Sequence, residues 1–296
     1  MAADLPEPSW VVPDVLPAGL SLLAGRPKIG KSFLALQLAV AVGSGGAFLG
    51  RQVEAGRVAY VALEDSPRRM RKRLKAMGAS TDGGNLILAF QWPDMGDGGL
   101  SELANMLSRH KPRLVVFDTL ARAFTGRVDW DRIGQATEAL AGVQESALAH
   151  DCAVLFVDHH RKSNGFDGDV VDDVMGSTGK SAVADVVLGL YRQRGERDAT
   201  LRFTGRDVED STLGLRFERT TCCWELTEGA DGVKVGSVQA DILAALEDLG
   251  GRATVTELAG YMEKDKSNMG KELAELVAKG AVARDGGDRF AGYALV

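Results

Sequence analysis

Eight residues near the start of the chain have the types and spacing to hold a polyphosphate. Gly25-Arg26-Pro27-Lys28-Ile29-Gly30-Lys31-Ser32 fits the pattern G-x-x-x-x-G-K-[ST] at every fixed position. Backbone N–H groups of such a loop, and of the helix that follows it, surround phosphate oxygens. Gly25 and Gly30 admit backbone conformations that a Cβ would hinder. Lys31 would set a cation beside the β- and γ-phosphates, and the Ser32 hydroxyl would reach Mg²⁺. The candidate nucleotide-binding residues are therefore Gly25, Pro27, Lys28, Ile29, Gly30, Lys31, Ser32 and Phe33. Gly176-Ser177-Thr178-Gly179-Lys180-Ser181 also ends in Gly-Lys-Ser, but the first glycine of the pattern would fall at Asp173–Val174. That stretch reads as a loop.

Further polar groups sit at the ends of apolar runs. Leu114-Val115-Val116-Phe117-Asp118 is an apolar strand closed by a carboxylate. In a P-loop protein this strand is expected beside the P-loop strand, with Asp118 holding Mg²⁺ directly or through water. Ser32 and Asp118 are thus the expected metal contacts. Glu64 directly follows the apolar run Arg57–Leu63. A carboxylate at the carboxyl end of a strand beside the P-loop can polarise an attacking water. Asp65 competes for that role, and the pair would also suit capping of the next helix. His159 and His160 end the run Ala153–Val157 after Asp158. Either one there can sense a γ-phosphate, whereas a metal site would need further His or Cys ligands nearby. The chemistry expected of the set is hydrolysis of ATP with Mg²⁺.

These residues need a scaffold that brings several strand ends together. Leu20–Ala24 reads as a strand, followed by a Gly-containing loop and a helix from Lys31. Ser66–Met77 reads as a helix with Ser66 as N-cap and Pro67 in its first turn. A further helix spans roughly Asp131–Ala149, before the strand Ala153–Val157. Strands alternating with helices predict an α/β fold with a mostly parallel sheet covered on both faces. After Ala184 the spacing shortens. Asp185–Tyr191, Thr200–Thr204, Leu213–Glu218 and Cys223–Leu226 read as antiparallel strands extending the sheet. Pro6, Pro8 and Pro13 make residues 1–13 an extended lead-in, so the core is expected over 14–228. A polar, Gly-rich linker at 229–236 separates it from a small unit at 237–296.

Composition narrows the function classes. The 296 residues are 45% hydrophobic and 26% charged, the profile of a soluble globular chain, and no apolar run approaches a membrane span. Residues 1–9 lack the basic start and apolar stretch of a signal peptide, so a cytoplasmic protein is expected. The three cysteines, Cys152, Cys222 and Cys223, show no metal-ligand spacing and read as reduced thiols. A net charge of −6 gives no global attraction to nucleic acid, so any such contact must be local. The strongest basic run is Arg68-Arg69-Met70-Arg71-Lys72-Arg73-Leu74-Lys75. On a helix it reads as a solvated or intersubunit face.

Taken in order, the motifs resemble one group. Gly25–Ala39 (GRPKIGKSFLALQLA), Tyr60–Asp65 (YVALED), Val115–Arg122 (VVFDTLAR), Val157–Ser163 (VDHHRKS) and Gly176–Leu188 (GSTGKSAVADVVL) are similar to the RecA-like P-loop ATPases. Within that family the likeness is to the plasmid RepA-type hexameric replicative helicases, and more distantly to DnaB and RecA. It covers about Val12–Glu218. The resemblance implies a homo-oligomeric ring, expected to be a hexamer, with ATP at subunit interfaces. It also implies an arginine reaching the site from the neighbouring subunit. Arg192, Arg202 and Arg206 are the candidates, and Arg206, in a Gly-Arg-Asp turn, is favoured. Single-stranded DNA is the implied partner. Arg161, Lys162, Ser163 and Asn164 could touch its phosphates, against the opposing charge of Asp167, Asp169, Asp172 and Asp173.

The last unit has its own pattern. Helices at Val238–Asp248, Thr256–Met262 and Ser267–Lys279 precede two strand-like runs around Asp285-Gly286-Gly287-Asp288. This resembles a winged helix, a module the plasmid helicases need not carry. Such modules often bind DNA through the third helix, led here by Lys264, Lys266, Ser267, Asn268 and Lys271. Residues 236–296, however, hold seven Lys and Arg against ten Asp and Glu. A protein partner is as consistent with that charge as DNA. The function expected overall is a DNA-stimulated ATPase, a helicase or translocase in plasmid- or phage-type replication. The alternatives are a recombination or loading ATPase, and a regulatory ATPase acting on a protein partner.

Overall fold

The computed structural model describes residues 9–79, 84–126, 128–159, 170–173, 179–193, 195–227, 237–262, 269–270, 273–274, 276–277, 281–285 and 292–295. The chain divides into two compact units, Met1–Thr227 and Glu228–Val296. In the first, β1 (Trp10–Val12) and β2 (Leu16–Pro17) pair as a hairpin before β3 (Gly19–Gly25) and α1 (Lys31–Ser44). A second hairpin, β4 (Gly46–Phe48) and β5 (Arg51–Val53), leads to β6 (Val58–Ala62), α2 (Pro67–Ala76) and β7 (Leu86–Ala89). Next come α3 (Leu100–His110), β8 (Leu114–Asp118), α4 (Leu120–Ala123), α5 (Ile133–Ala149) and β9 (Ala153–Val157). The short helices α6 (Val170–Asp173) and α7 (Gly179–Val183) precede β10 (Val186–Tyr191), β11 (Asp198–Gly205), β12 (Ser211–Glu218) and β13 (Cys223–Leu226).

Nine of these strands form one sheet, in the order β13-β12-β11-β10-β3-β9-β8-β6-β7. Every residue of β3, β6, β8, β9 and β10 is buried, as continuous apolar runs require when helices cover both faces. Alternation along β3 splits the core in two. Leu23 joins Leu34, Leu38 and Val42 of α1 in one cluster, whereas Leu20 and Leu22 join Leu103 and Leu107 of α3 and Leu140 and Val143 of α5 in the other. The mixed fold expected from the sequence is thus present. Trp10–Val12, part of the expected lead-in, is extended, and Val11 and Val12 are buried in the first cluster.

Three placements differ from the sequence-based expectation. β8 does not lie beside the P-loop strand, because β9 separates them, and β6 lies one strand further out. β10 was expected to be antiparallel, but it runs parallel to β3, with Leu190 opposite Gly25; the antiparallel order begins at β11. Gly176–Ser181 was expected to be a loop, and its described part, Gly179–Ser181, belongs to the helix Gly179–Val183. The physical reason is Lys180, whose side chain is buried and bonds Asp158 at 2.7 Å. A buried cation must be paired, and folding the segment onto α5, with Lys180 reaching Asp158 just after β9, achieves this.

The second unit contains α8 (Ser237–Asp248), β14 (Arg252–Thr254), α9 (Val255–Tyr261), β15 (Val282–Asp285) and β16 (Gly292–Leu295). A capping box joins Thr254 and Glu257 at the start of α9. The strands pair in the order β14-β16-β15, and Ile242, Leu246, Leu258, Met269, Leu273 and Leu276 share the core. The described residues of 269–277 are helical. Helices closed by a small antiparallel sheet make the winged-helix architecture expected. Lys264, Lys266, Ser267, Asn268 and Lys271, the linker 229–236 and the turn at 286–288 lie outside the described residues.

Candidate functional site

The parallel strands deliver their ends to one edge. Leu23 pairs with Val157, Val157 with Asp118, and Asp118 with Ala62. The residues that follow, Gly25 onward, Asp158 and His159, Thr119, and Glu64, therefore emerge side by side at the carboxyl edge, where open α/β sheets bind ligands. A cleft of about 590 Å³ opens there. It is lined by Lys28, Lys31, Ser32, Glu64, Asp118 and His159, among others.

Local geometry explains the P-loop residues. Gly30 caps α1 with φ 110° and ψ 16°, a left-handed conformation that favours glycine. A Cβ on Gly25 would stand 2.8 Å from the Leu190 carbonyl oxygen, since β10 is its parallel neighbour. Lys31 Nζ donates to the carbonyls of Gly25 at 2.6 Å and Arg26 at 2.9 Å. Pro27, Gly30 and Phe33 also line the cleft. Ile29 does not line it: its side chain is buried in the core and its backbone carbonyl accepts from Arg192.

Asp118 is 5% exposed and accepts hydrogen bonds from the Ser32 hydroxyl and from Tyr60 Oη, the latter at 2.9 Å. Burial raises its carboxyl above the ordinary range, and the two hydrogen bonds oppose that. Glu64 stands at the mouth, with its side chain 44% exposed. Thr119 Oγ1 donates to it at 3.0 Å, and the Arg122 guanidinium lies 3.7 Å away. Asp65 is committed elsewhere: it pairs with Arg69 and Arg73 and pins the start of α2. Of the two carboxylates, Glu64 is the one presented to the cleft. His159 also faces the cleft, and its Nδ1 is buried without a hydrogen-bond partner among the described residues. His160 lies outside the described residues, as do Arg161, Lys162, Ser163, Asn164, Asp167 and Asp169.

The arginines separate by position. Arg192 lines this same cleft, Arg202 stacks on Tyr191 at 5.0 Å, and Arg206 donates to the Ala182 carbonyl at 2.8 Å without lining the cleft. Sequence reasoning missed Arg73, Thr119, Phe217, Arg219 and Trp224. Trp224 is 1% exposed and its indole N–H donates to the Gly30 carbonyl at 3.2 Å. Gln37 of α1 brackets the Trp224 backbone, accepting from its N–H at 2.8 Å and donating to its carbonyl at 2.9 Å. Strand β13 is thereby fixed to the P-loop helix. The only signal for this in the sequence is an isolated Trp in a late apolar strand.

A family model described as an AAA domain, AAA_25, matches residues 1–165, more than half of the chain. The chain belongs to the AAA_25 family. It is accordingly a RecA-like P-loop ATPase, with ATP as the ligand that this family implies. A MarR family model, MarR_2, matches residues 232–289, over the winged-helix unit. The AAA_25 chain is 28% identical over 244 residues to the DNA repair protein RadA of Mycobacterium tuberculosis (strain H37Rv), covering 76% of this chain and 48% of that protein. It is 24% identical over 200 residues to the DNA repair protein RadA of Aquifex aeolicus, covering 64% and 41%. The chain thus spans about half the length, or less, of these curated relatives.

The cleft suits a magnesium nucleotide. Among the described lining residues Lys28, Lys31, Arg192 and Arg219, with Arg73 paired to Asp65, outnumber the two carboxylates Glu64 and Asp118, an excess of positive charge that fits a polyphosphate. Among the described residues no group of three or more His, Cys, Asp or Glu forms a metal cage. Mg²⁺ does not need one, since it is held by one or two protein oxygens plus substrate phosphates. The hydrogen-bonded pair Ser32 and Asp118 fits that donor set.

A pH dependence follows from Lys31. Burial pushes its pKa down from 10.5 to about 8, against the raising effect of Asp118, Asp158 and Glu64. Phosphate oxygens favour the charged amine, so binding above that pH takes up a proton. Nucleotide affinity is expected to be flat with respect to Lys31 below pH 8 and to fall as pH rises beyond it, by up to about tenfold per unit. Calorimetric titration with ADP in buffers of differing ionisation enthalpy measures both the affinity and the proton uptake.

Proposed function

We propose that this chain is an oligomeric, DNA-stimulated ATPase that works as a translocase or helicase. The observation that carries the ATPase reading is the convergence of Lys31, Ser32, Asp118 and Glu64 on one cleft at the carboxyl edge of the sheet. Lys31 and the P-loop N–H groups hold the phosphates, and Ser32 and Asp118 would hold Mg²⁺. When bound, Mg²⁺ would neutralise charge on the phosphate oxygens. Glu64, oriented by Thr119 and Arg122, aligns a water for attack on the γ-phosphorus and takes its proton as the bond to the β-phosphate oxygen breaks. ADP and phosphate result. His159 reads the γ-phosphate from the end of β9, and Arg206 completes the site of a neighbouring subunit.

The DNA reading draws support from the name of the relatives, DNA repair proteins, and from the motif order shared with RepA-type helicases. The name of those relatives makes DNA repair an alternative output for the same motor. The acidic balance of residues 236–296 supports a protein partner for the winged-helix unit as well as it supports DNA. ATP turnover with and without single-stranded DNA, across a salt series, tests the proposal. Stimulation that fades steeply with salt is expected, because phosphate contacts release counterions. Turnover indifferent to DNA at low salt would remove DNA from the scheme and favour regulation of a protein partner.

A further inference from the structure

Arg192 was a candidate for the neighbour's site, and its surroundings point elsewhere. Because β10 runs parallel to β3 with Leu190 opposite Gly25, the chain leaving β10 emerges beside its own P-loop. The Arg192 guanidinium lies over the rings of Phe217 and Trp224, 5.5 Å and 5.3 Å from their centroids. It donates to the P-loop carbonyl of Ile29 at 3.2 Å and to the Glu196 carbonyl at 2.7 Å. Arg219, in the turn between β12 and β13, lines the same cleft. Among the described residues neither guanidinium is paired with a carboxylate. Burial, and then the charge of Arg219, lower the Arg192 pKa.

Two cations lining one cleft, neither of them ion-paired, repel, and the repulsion is relieved when an anion joins them. The aromatic rings hold Arg192 in place, so little side-chain freedom is lost when it binds. The two backbone carbonyls occupy part of its donor set and leave the rest for a ligand. Arg73, stacked 4.5 Å over Phe33, extends the same wall.

We propose that Arg192 and Arg219 bind in cis the phosphate chain of the nucleotide held by their own P-loop, Arg192 being aimed by Phe217, Trp224 and the Ile29 carbonyl. This rests on the nucleotide reading above and narrows it: the trans arginine is then sought at Arg206, which does not line its own cleft.

Calorimetric titration of ADP into wild type, R192A and R219A tests it, with a second assay that mixes R192A with K31A and measures ATP turnover. Each arginine variant is expected to bind ADP about ten- to a hundredfold more weakly, the size of a lost charged hydrogen bond. Mixing should restore no turnover, because K31A subunits carry an intact Arg192 but cannot lend it to another P-loop. Arg219 is exposed, so R219A carries the test even where R192A folds poorly. Unchanged ADP affinity in both variants, or turnover rescued by mixing, would overturn the cis assignment alone. Wild type that fails to bind ADP would overturn the nucleotide reading with it.

Discussion

Glu64→Gln is expected to bind ATP as wild type does and to release phosphate about a hundred- to ten-thousandfold more slowly, the usual worth of a positioned general base. That loss corresponds to roughly 2.7–5.5 kcal/mol of transition-state stabilisation. The amide matches the carboxylate in shape and still accepts from Thr119, so the mouth of the cleft should keep its form. It cannot take a proton from water. The neighbouring carboxylate gives the control. Asp65→Asn should leave catalysis less affected and loosen α2 instead, because Asp65 is held by Arg69 and Arg73. Calorimetry for binding and phosphate release for turnover separate the two effects. A Glu64→Gln protein that hydrolyses ATP at the wild-type rate would transfer the base role to another group.

The second large effect concerns stability. Lys180 and Asp158 form an ion pair 2.7 Å long with side chains 4% and 5% exposed, and Lys180 Nζ lies 4.7 Å above the Trp130 ring. Removing one partner leaves a buried charge uncompensated. Lys180→Met should therefore destabilise the ATPase unit by about 3–5 kcal/mol. Replacing both partners by apolar residues should recover most of that loss, since the desolvation penalty disappears with the charges. Urea denaturation of the single and double variants measures this. Equal instability of both would show that packing, rather than the unpaired charge, sets the cost. Asp158 directly precedes His159 in the cleft, so the single variant should also disturb nucleotide affinity.

How much of this was legible in sequence depended on how local the cause was. The P-loop was legible because phosphate binding there is built from consecutive backbone groups, and Gly30 and Lys31 sit where the pattern puts them. Asp118 and Glu64 were legible as carboxylates closing apolar runs. Strand order was not, because Leu114–Phe117 and Ala153–Val157 are equally apolar and nothing local says which one touches β3. The direction of β10 was hidden for the same reason, and with it the place of Arg192. Had Val186–Tyr191 been taken as a fully buried strand, which its unbroken apolar run permits, a parallel partner would have followed. Lys180 looked like part of a failed second P-loop, since its reason for burial, Asp158, lies 22 residues away. The bond from Trp224 to Gly30 spans 194 residues. β7 and α3 went unread. The strand is a short edge with Ile87 half exposed, too weakly patterned to announce itself.

The most direct test of the central claim is phosphate release from Mg-ATP by the purified full chain, measured in parallel for wild type and Glu64→Gln at saturating nucleotide. The geometry of the cleft predicts steady turnover by wild type and at least about a hundredfold less by the variant, with ATP binding retained. Equal turnover by the two proteins, or none by wild type with or without single-stranded DNA, would contradict it.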